Sequence, residues 1–147
     1  MQKYFTLQTA RALLPRVRRW MEAATAARRG MEGIRKEAAG WATRAQLLGG
    51  IAMDYSLAGQ WWNRARSAEA ELRAAMAELE AVGVEVKDLD LGLVDFPALF
   101  RGREVLLCWR LGEEDIGWWH GMEEGFRGRK RIDAEFEAGL DGAVPGV

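Results

Sequence analysis

At 147 residues, 49% hydrophobic and 29% charged, the chain has the composition of one globular domain and excludes a disordered or fibrous protein. Its one cysteine excludes an internal disulfide, and no apolar run reaches the roughly 18 residues a membrane span requires. The formal net charge of −1 hides an uneven distribution. Residues 1–66 hold 12 Lys or Arg against 4 Asp or Glu, whereas residues 67–147 hold 9 against 18. Mutual neutralisation of the two halves, within a chain or across a dimer, accounts for this more simply than a nucleic-acid partner does.

In chain order, Thr6 is a candidate N-cap. From Ala10 to Trp41 apolar residues then recur at three and four: Leu13, Val17, Trp20, Ala24, Ala27, Met31, Ile34, Ala38 and Trp41. That spacing predicts a long helix with one apolar stripe. Pro15 is expected to kink it or to start a new helix, and Gly30 and Gly33 to mark close contact with a partner helix. Gly40, Gly49 and Gly50 punctuate a connection over residues 40–57. A second helix runs from about Tyr55 to Val82 on the stripe Ala58, Trp62, Ala65, Leu72, Met76 and Leu79. Gly83 is placed to terminate it.

The period changes to two after Gly83. Val84 and Val86 alternate with charged residues, Leu91–Phe96 forms a second strand ended by Pro97, and Val105–Leu111 is apolar on both faces, as a central strand is. Ile116–Trp119 is a candidate fourth strand, Gly121–Arg131 has no period, and Ala134–Ala138 is helix-like before a Gly-rich tail expected to fray. The whole reads as a single α+β domain. A long antiparallel helical hairpin (about 6–83) packs on a three- to four-stranded antiparallel sheet (about 84–120), followed by the segment 121–147.

Several blocks resemble domain-of-unknown-function family 2203. They are Tyr4-Phe5-Thr6-Leu7 with Ala12-Leu13-Leu14-Pro15, then Gly83–Asp90 and Gly92–Pro97, Cys108–Glu113, Trp119-His120, Gly125-Phe126 and Gly128-Arg129. The chain departs from that pattern at Leu91, where the family has a basic residue, and near Lys130-Arg131, where it has a proline. The resemblance implies a small bacterial or archaeal cytosolic protein and carries no activity.

The residues that could do chemistry gather in the sheet region. His120, the only imidazole, with Glu113 and Asp95 are the catalytic candidates. His120, Glu113, Glu123 and Asp95 are candidate ligands for a divalent metal, although one His and one Cys fall short of a structural zinc set, so no cofactor is expected. Arg110, Arg129 and Asp88 are candidates for an anionic-ligand pocket or, more simply, an ion-pair network. Cys108 lies inside an apolar strand and is expected to pack, not to react. Phe126-Arg127-Gly128-Arg129-Lys130-Arg131 looks like a short RNA-binding segment, but surrounding acids argue against it.

Trp20, Trp41, Trp61 and Trp62 exceed what one thin core needs. A non-enzymatic, self-associating cytoplasmic module, in the simplest case a dimer, is therefore the leading expectation, with a further protein partner compatible with it. A small metal-dependent enzyme or ligand-binding protein is the alternative, and an RNA-binding accessory protein the second alternative.

Overall fold

The computed structural model describes residues 4–50 and 54–140. The expected fraying of the tail falls on 141–147, outside the described residues. Two helices come first, α1 (Leu7–Leu47) and α2 (Tyr55–Ala81). Five strands follow, β1 (Glu85–Asp88), β2 (Leu93–Phe100), β3 (Arg103–Arg110), β4 (Trp118–Gly121) and β5 (Lys130–Arg131). A 3-10 turn (Phe126–Gly128) precedes β5, and a short helix, α3 (Ala134–Gly139), ends the described chain. The chain divides into two compact units, one of Met1–Glu22 with Ala77–Val147 and the other of Ala23–Met76.

Side-chain caps set the helix starts. Thr6 Oγ1 accepts from Thr9 N at 3.0 Å while Thr9 Oγ1 accepts from Thr6 N at 2.8 Å, satisfying donors that the first turn leaves open. Asp54 does the same for α2, its Oδ1 accepting from Ser56 N and Leu57 N. Gly83, with φ +89°, closes α2 by taking the left-handed conformation, as its position predicts. Three expectations for α1 are corrected. The helix runs on through Pro15 as one element, so no new helix starts there; the ring's fixed φ is compatible with the helix. It also passes through Gly40, so the connection begins only at Leu48. A Cβ at Gly30 or Gly33 would meet nothing within 4 Å, so no close helix approach requires these glycines.

Within the second unit, α1 and α2 run antiparallel. Trp41 meets Trp61 edge-on at 6.5 Å, and Glu37, one turn earlier in α1, accepts from Trp61 Nε1 and from Arg64, one turn later in α2.

Among the described residues the sheet of the first unit has five strands, not three or four, in the order β1-β2-β3-β4-β5, all antiparallel. The fifth is the pair Lys130–Arg131, too short to show a period in sequence. The two-sided apolar strand is indeed central, and Val105–Trp109 is buried without a break. Strand β2 continues through Pro97 instead of stopping there. Pro97 O accepts from Phe5 N at 2.7 Å, so this residue's polar edge faces away from β3 and the missing N–H costs no ladder bond.

Register sorts the side chains. Val94 pairs with Trp109, Phe96 with Leu107, and Leu107 with Trp119, which puts them on one face. The start of the chain covers that face, with Phe5 against Phe96 at 5.4 Å and Arg18 over Trp109. Phe136 of α3 stacks on Trp119 at 4.2 Å. Asp95, Cys108, Trp118 and His120 alternate with these residues and so lie on the opposite face.

Candidate functional site

The opposite face carries a recess of about 300 Å³, at the small end of the range for ligand pockets. Leu93, Leu106, Met122 and Phe126 supply its apolar lining, with Lys87, Glu123 and Glu124 as charged lining residues. Asp95, Cys108 and His120 line it as well, and all three are buried.

The three come from three adjacent strands. Asp95 in β2 pairs with Cys108 in β3, and His120 in β4 pairs with Leu106, two residues from Cys108 on the same face. Their ligand atoms all lie within 4.8 Å of one another. His120 Nε2 stands 3.0 Å from Asp95 Oδ2, and His120 Nδ1 stands 2.8 Å from Gly121 O. A carbonyl only accepts, so Nδ1 carries a hydrogen. The Nε2–Asp95 contact then also holds one proton, shared between an imidazole and a carboxyl group. Burial pushes the Asp95 carboxyl above its ordinary range, while His120, Lys87 and the Cys108 hydrogen bond pull the other way. Burial and the Asp95 charge push the Cys108 thiol up to about 11, against the opposing pull of Arg129.

This order is wrong for a nucleophilic cysteine. In such a site an imidazole takes the thiol proton and a third group orients the imidazole. Here both ring nitrogens are committed elsewhere, Asp95 is bonded to both His120 and Cys108, and the thiol is held protonated. No base stands free in the cluster to take the thiol proton.

The other sequence candidates take separate places. Glu113 caps the turn after β3, its Oε1 accepting from Arg110 N at 2.7 Å, and it grips Arg129 through both carboxylate oxygens. Arg129 lies over the rings of Trp118 and Phe126, each at 4.6 Å, and its Nη1 stands 3.8 Å from Cys108 Sγ. Asp88 caps the turn after β1 by accepting from Leu91 N at 3.0 Å. The Arg110 guanidinium lies 6.0 Å from the Phe126 ring and does not line the recess. Glu123 does line it, and its side chain is exposed. In the proposed RNA-binding segment, Arg129 is engaged by Glu113, Lys130 by Glu124 at 2.6 Å, and Arg131 by the Trp118 ring.

Asp95 and His120 are therefore brought together as their residue types suggest, while Glu113, Asp88 and Arg110 are not part of the recess. Sequence reasoning assigns Cys108 to packing and sets aside a pairing with His120, whereas the structure places it beside both residues. The signal was available in register, because an Asp two residues before Pro97 on one strand faces a Cys at the middle of the next. It also missed Glu124, which accepts from Gly121 N at 2.8 Å and from Lys130, fixing the loop that walls the recess.

An α+β protein with a buried Asp–Cys–His cluster opening into a recess on one face of a five-stranded antiparallel sheet is thus the class that fold and site define. The chain belongs to DUF2203, a family described as an uncharacterized conserved protein, whose model matches residues 3–132. That match takes in α1, α2, the whole sheet and the recess. No curated protein and no solved structure matches the chain. Among the described residues, no helix is long and apolar enough to cross a membrane.

Proposed function

We propose that the protein is a cytoplasmic binding protein whose site is the recess over Asp95, Cys108 and His120, and that it takes a small, partly apolar ligand with one polar head. The observation that carries this reading is a buried, fully partnered polar cluster that lines an open recess. Packing two ionisable groups into a sheet is costly, and apolar residues of similar size would fill the same volume at least as stably. A chain that needed only a core would have no use for them there. Leu93, Leu106, Met122 and Phe126 suit an apolar body, and the cluster suits a head group that exchanges hydrogen bonds.

The test is a methyl-detected NMR screen with a fragment library of small carboxylic acids, amides and amines. Leu93, Leu106 and Met122 methyl signals are expected to shift together with shared saturation, and Leu93→Trp, which fills the recess, is expected to abolish the shifts. Fragments that move only signals remote from these residues would count against the site.

Self-association remains a second reading, supported by Leu47, Leu48, Tyr55 and Trp62, apolar side chains left 60–84% exposed in the Ala23–Met76 unit. Light scattering is expected to give the mass of a dimer, and Trp62→Glu with Leu47→Glu a monomer. A wild-type monomer at every accessible concentration removes this reading without touching the recess.

A further inference from the structure

We infer that Asp95, Cys108 and His120 form a binding site for one divalent transition-metal ion of the zinc class, with a coordination position left open toward the recess. This inference deepens the binding reading above and rests on it. The donor set is one thiolate, one imidazole and one carboxylate, which selects zinc or cobalt(II) over calcium or magnesium, whose ligands are oxygens. Three protein ligands with a fourth position free is the arrangement of zinc sites that bind an exchangeable ligand, whereas structural sites are closed by four.

Distances agree. Bonds of roughly 2.0–2.3 Å place tetrahedral ligand atoms roughly 3.5 Å apart. The three ligand atoms already lie within 4.8 Å of one another, so side-chain adjustment brings them into range without moving a strand. The outer partners are in place as well. His120 Nδ1 is committed to Gly121 O at 2.8 Å, which leaves Nε2 as the ligating nitrogen and fixes the ring plane. Arg129, locked by Glu113 and the two aromatic rings, presents Nη1 to Cys108 Sγ at 3.8 Å, where it can donate to a metal-bound thiolate.

Charge closes too. The ion replaces the thiol proton of Cys108 and the single proton held between Asp95 and His120, and both protons leave to solvent. A divalent cation with a thiolate, a carboxylate and a neutral imidazole is a neutral unit, the form that a buried site tolerates best. Glu113 and Glu123, the other metal candidates in sequence, are not needed. Glu113 instead holds Arg129 in position.

The experiment titrates the full chain, freed of metal, with cobalt(II) and follows its absorption. One equivalent is expected to give a thiolate-to-cobalt charge-transfer band and the intense visible bands of four-coordinate cobalt, both displaced by zinc. Cys108→Ala, a small apolar replacement that a buried site accepts, is expected to lose the charge-transfer band while keeping its circular dichroism. Its affinity should fall by more than the roughly 10–100-fold that loss of an outer partner costs. Arg129→Gln is expected to keep the band and to bind within that smaller range. Saturable binding that is equal in wild type and in Cys108→Ala would overturn the proposal, as would no binding by the folded protein. If cobalt fails but the fragment-induced shifts of Leu93 and Leu106 persist, the metal falls and the recess stands. If both fail, the binding reading falls with it.

Discussion

Arg129 grips Glu113 by a two-pronged contact, Nη1 to Oε1 at 3.1 Å and Nη2 to Oε2 at 2.5 Å, and the pair ties the turn after β3 to the residue just before β5. Both side chains are largely shielded, at 15% and 24% exposure, so water screens the pair less than it does an ordinary surface pair. Only a planar fork meets both carboxylate oxygens, and this one lies over two rings as it does so. Arg129→Lys keeps the charge and loses the fork. It is expected to cost about 1–2 kcal/mol in urea unfolding and to raise hydrogen exchange at 122–129. An unchanged midpoint would mean that the loop is held by Glu124 and Lys130 alone.

Cys108 is expected to resist thiol reagents in the folded protein at pH 8 and to react at once in urea. The folded thiol lies near 11, above the ordinary value near 8.5. A folded pKa raised in this way means that the stability from the neutral thiol is fully present below the unfolded value. It is lost as pH rises from about 8.5 through about 11. Alkaline unfolding of wild type is therefore expected to be steeper in that window than that of Cys108→Ala. Rapid native labelling at pH 8 would contradict the burial on which this rests.

Gly92 occupies φ +70° at the entry to β2, and a Cβ there would stand 2.6 Å from Leu111 Cβ. Gly92→Ala meets both a left-handed backbone and a clash with Leu111, the residue just past the end of β3, whose N donates to Gly92 O at 2.9 Å. A loss of about 2–4 kcal/mol is expected, beyond the roughly 1–3 kcal/mol of the backbone conformation alone. A loss under about 1 kcal/mol would show that the β2–β3 end yields easily.

Those three sites differ in how far the sequence exposes them. The helices and the central strand were legible because each repeats a period over many residues, from Val17 to Ile34 in α1 and from Val105 to Trp109 in β3. Gly83 and Thr6 were legible because one backbone conformation or one hydroxyl serves a single purpose at a helix end. Strand β5 was not, since two residues have no period, and Pro97 misled because its effect depends on which way its edge faces. The recess was half legible. Asp95 stands out as an acid in an apolar strand and His120 as the one imidazole, but their meeting point depends on register across three strands. Cys108 looked like packing because a cysteine in an apolar strand normally is. Glu113 looked like a catalytic group because nothing in sequence shows that Arg129 returns to it.

Asp95 and His120 provide the sharpest test of why the cluster exists. Asp95→Ala leaves an imidazole with a buried, unanswered nitrogen, and His120→Ala leaves a buried carboxyl group with one partner fewer. Each single change is expected to cost about 3–5 kcal/mol, because the surviving partner keeps its desolvation penalty without its hydrogen bond. The double replacement Asp95→Val with His120→Leu removes both penalties. β-Branched and aliphatic residues suit a strand face flanked by Leu93 and Leu106, and the double variant is expected to be as stable as wild type or more so. A double variant that is stable yet takes up neither cobalt(II) nor fragments identifies the pair as retained for binding at the expense of a better core. A double variant as unstable as the two singles combined would mean that the pair holds the sheet together, and the polar cluster would then need no ligand to explain it.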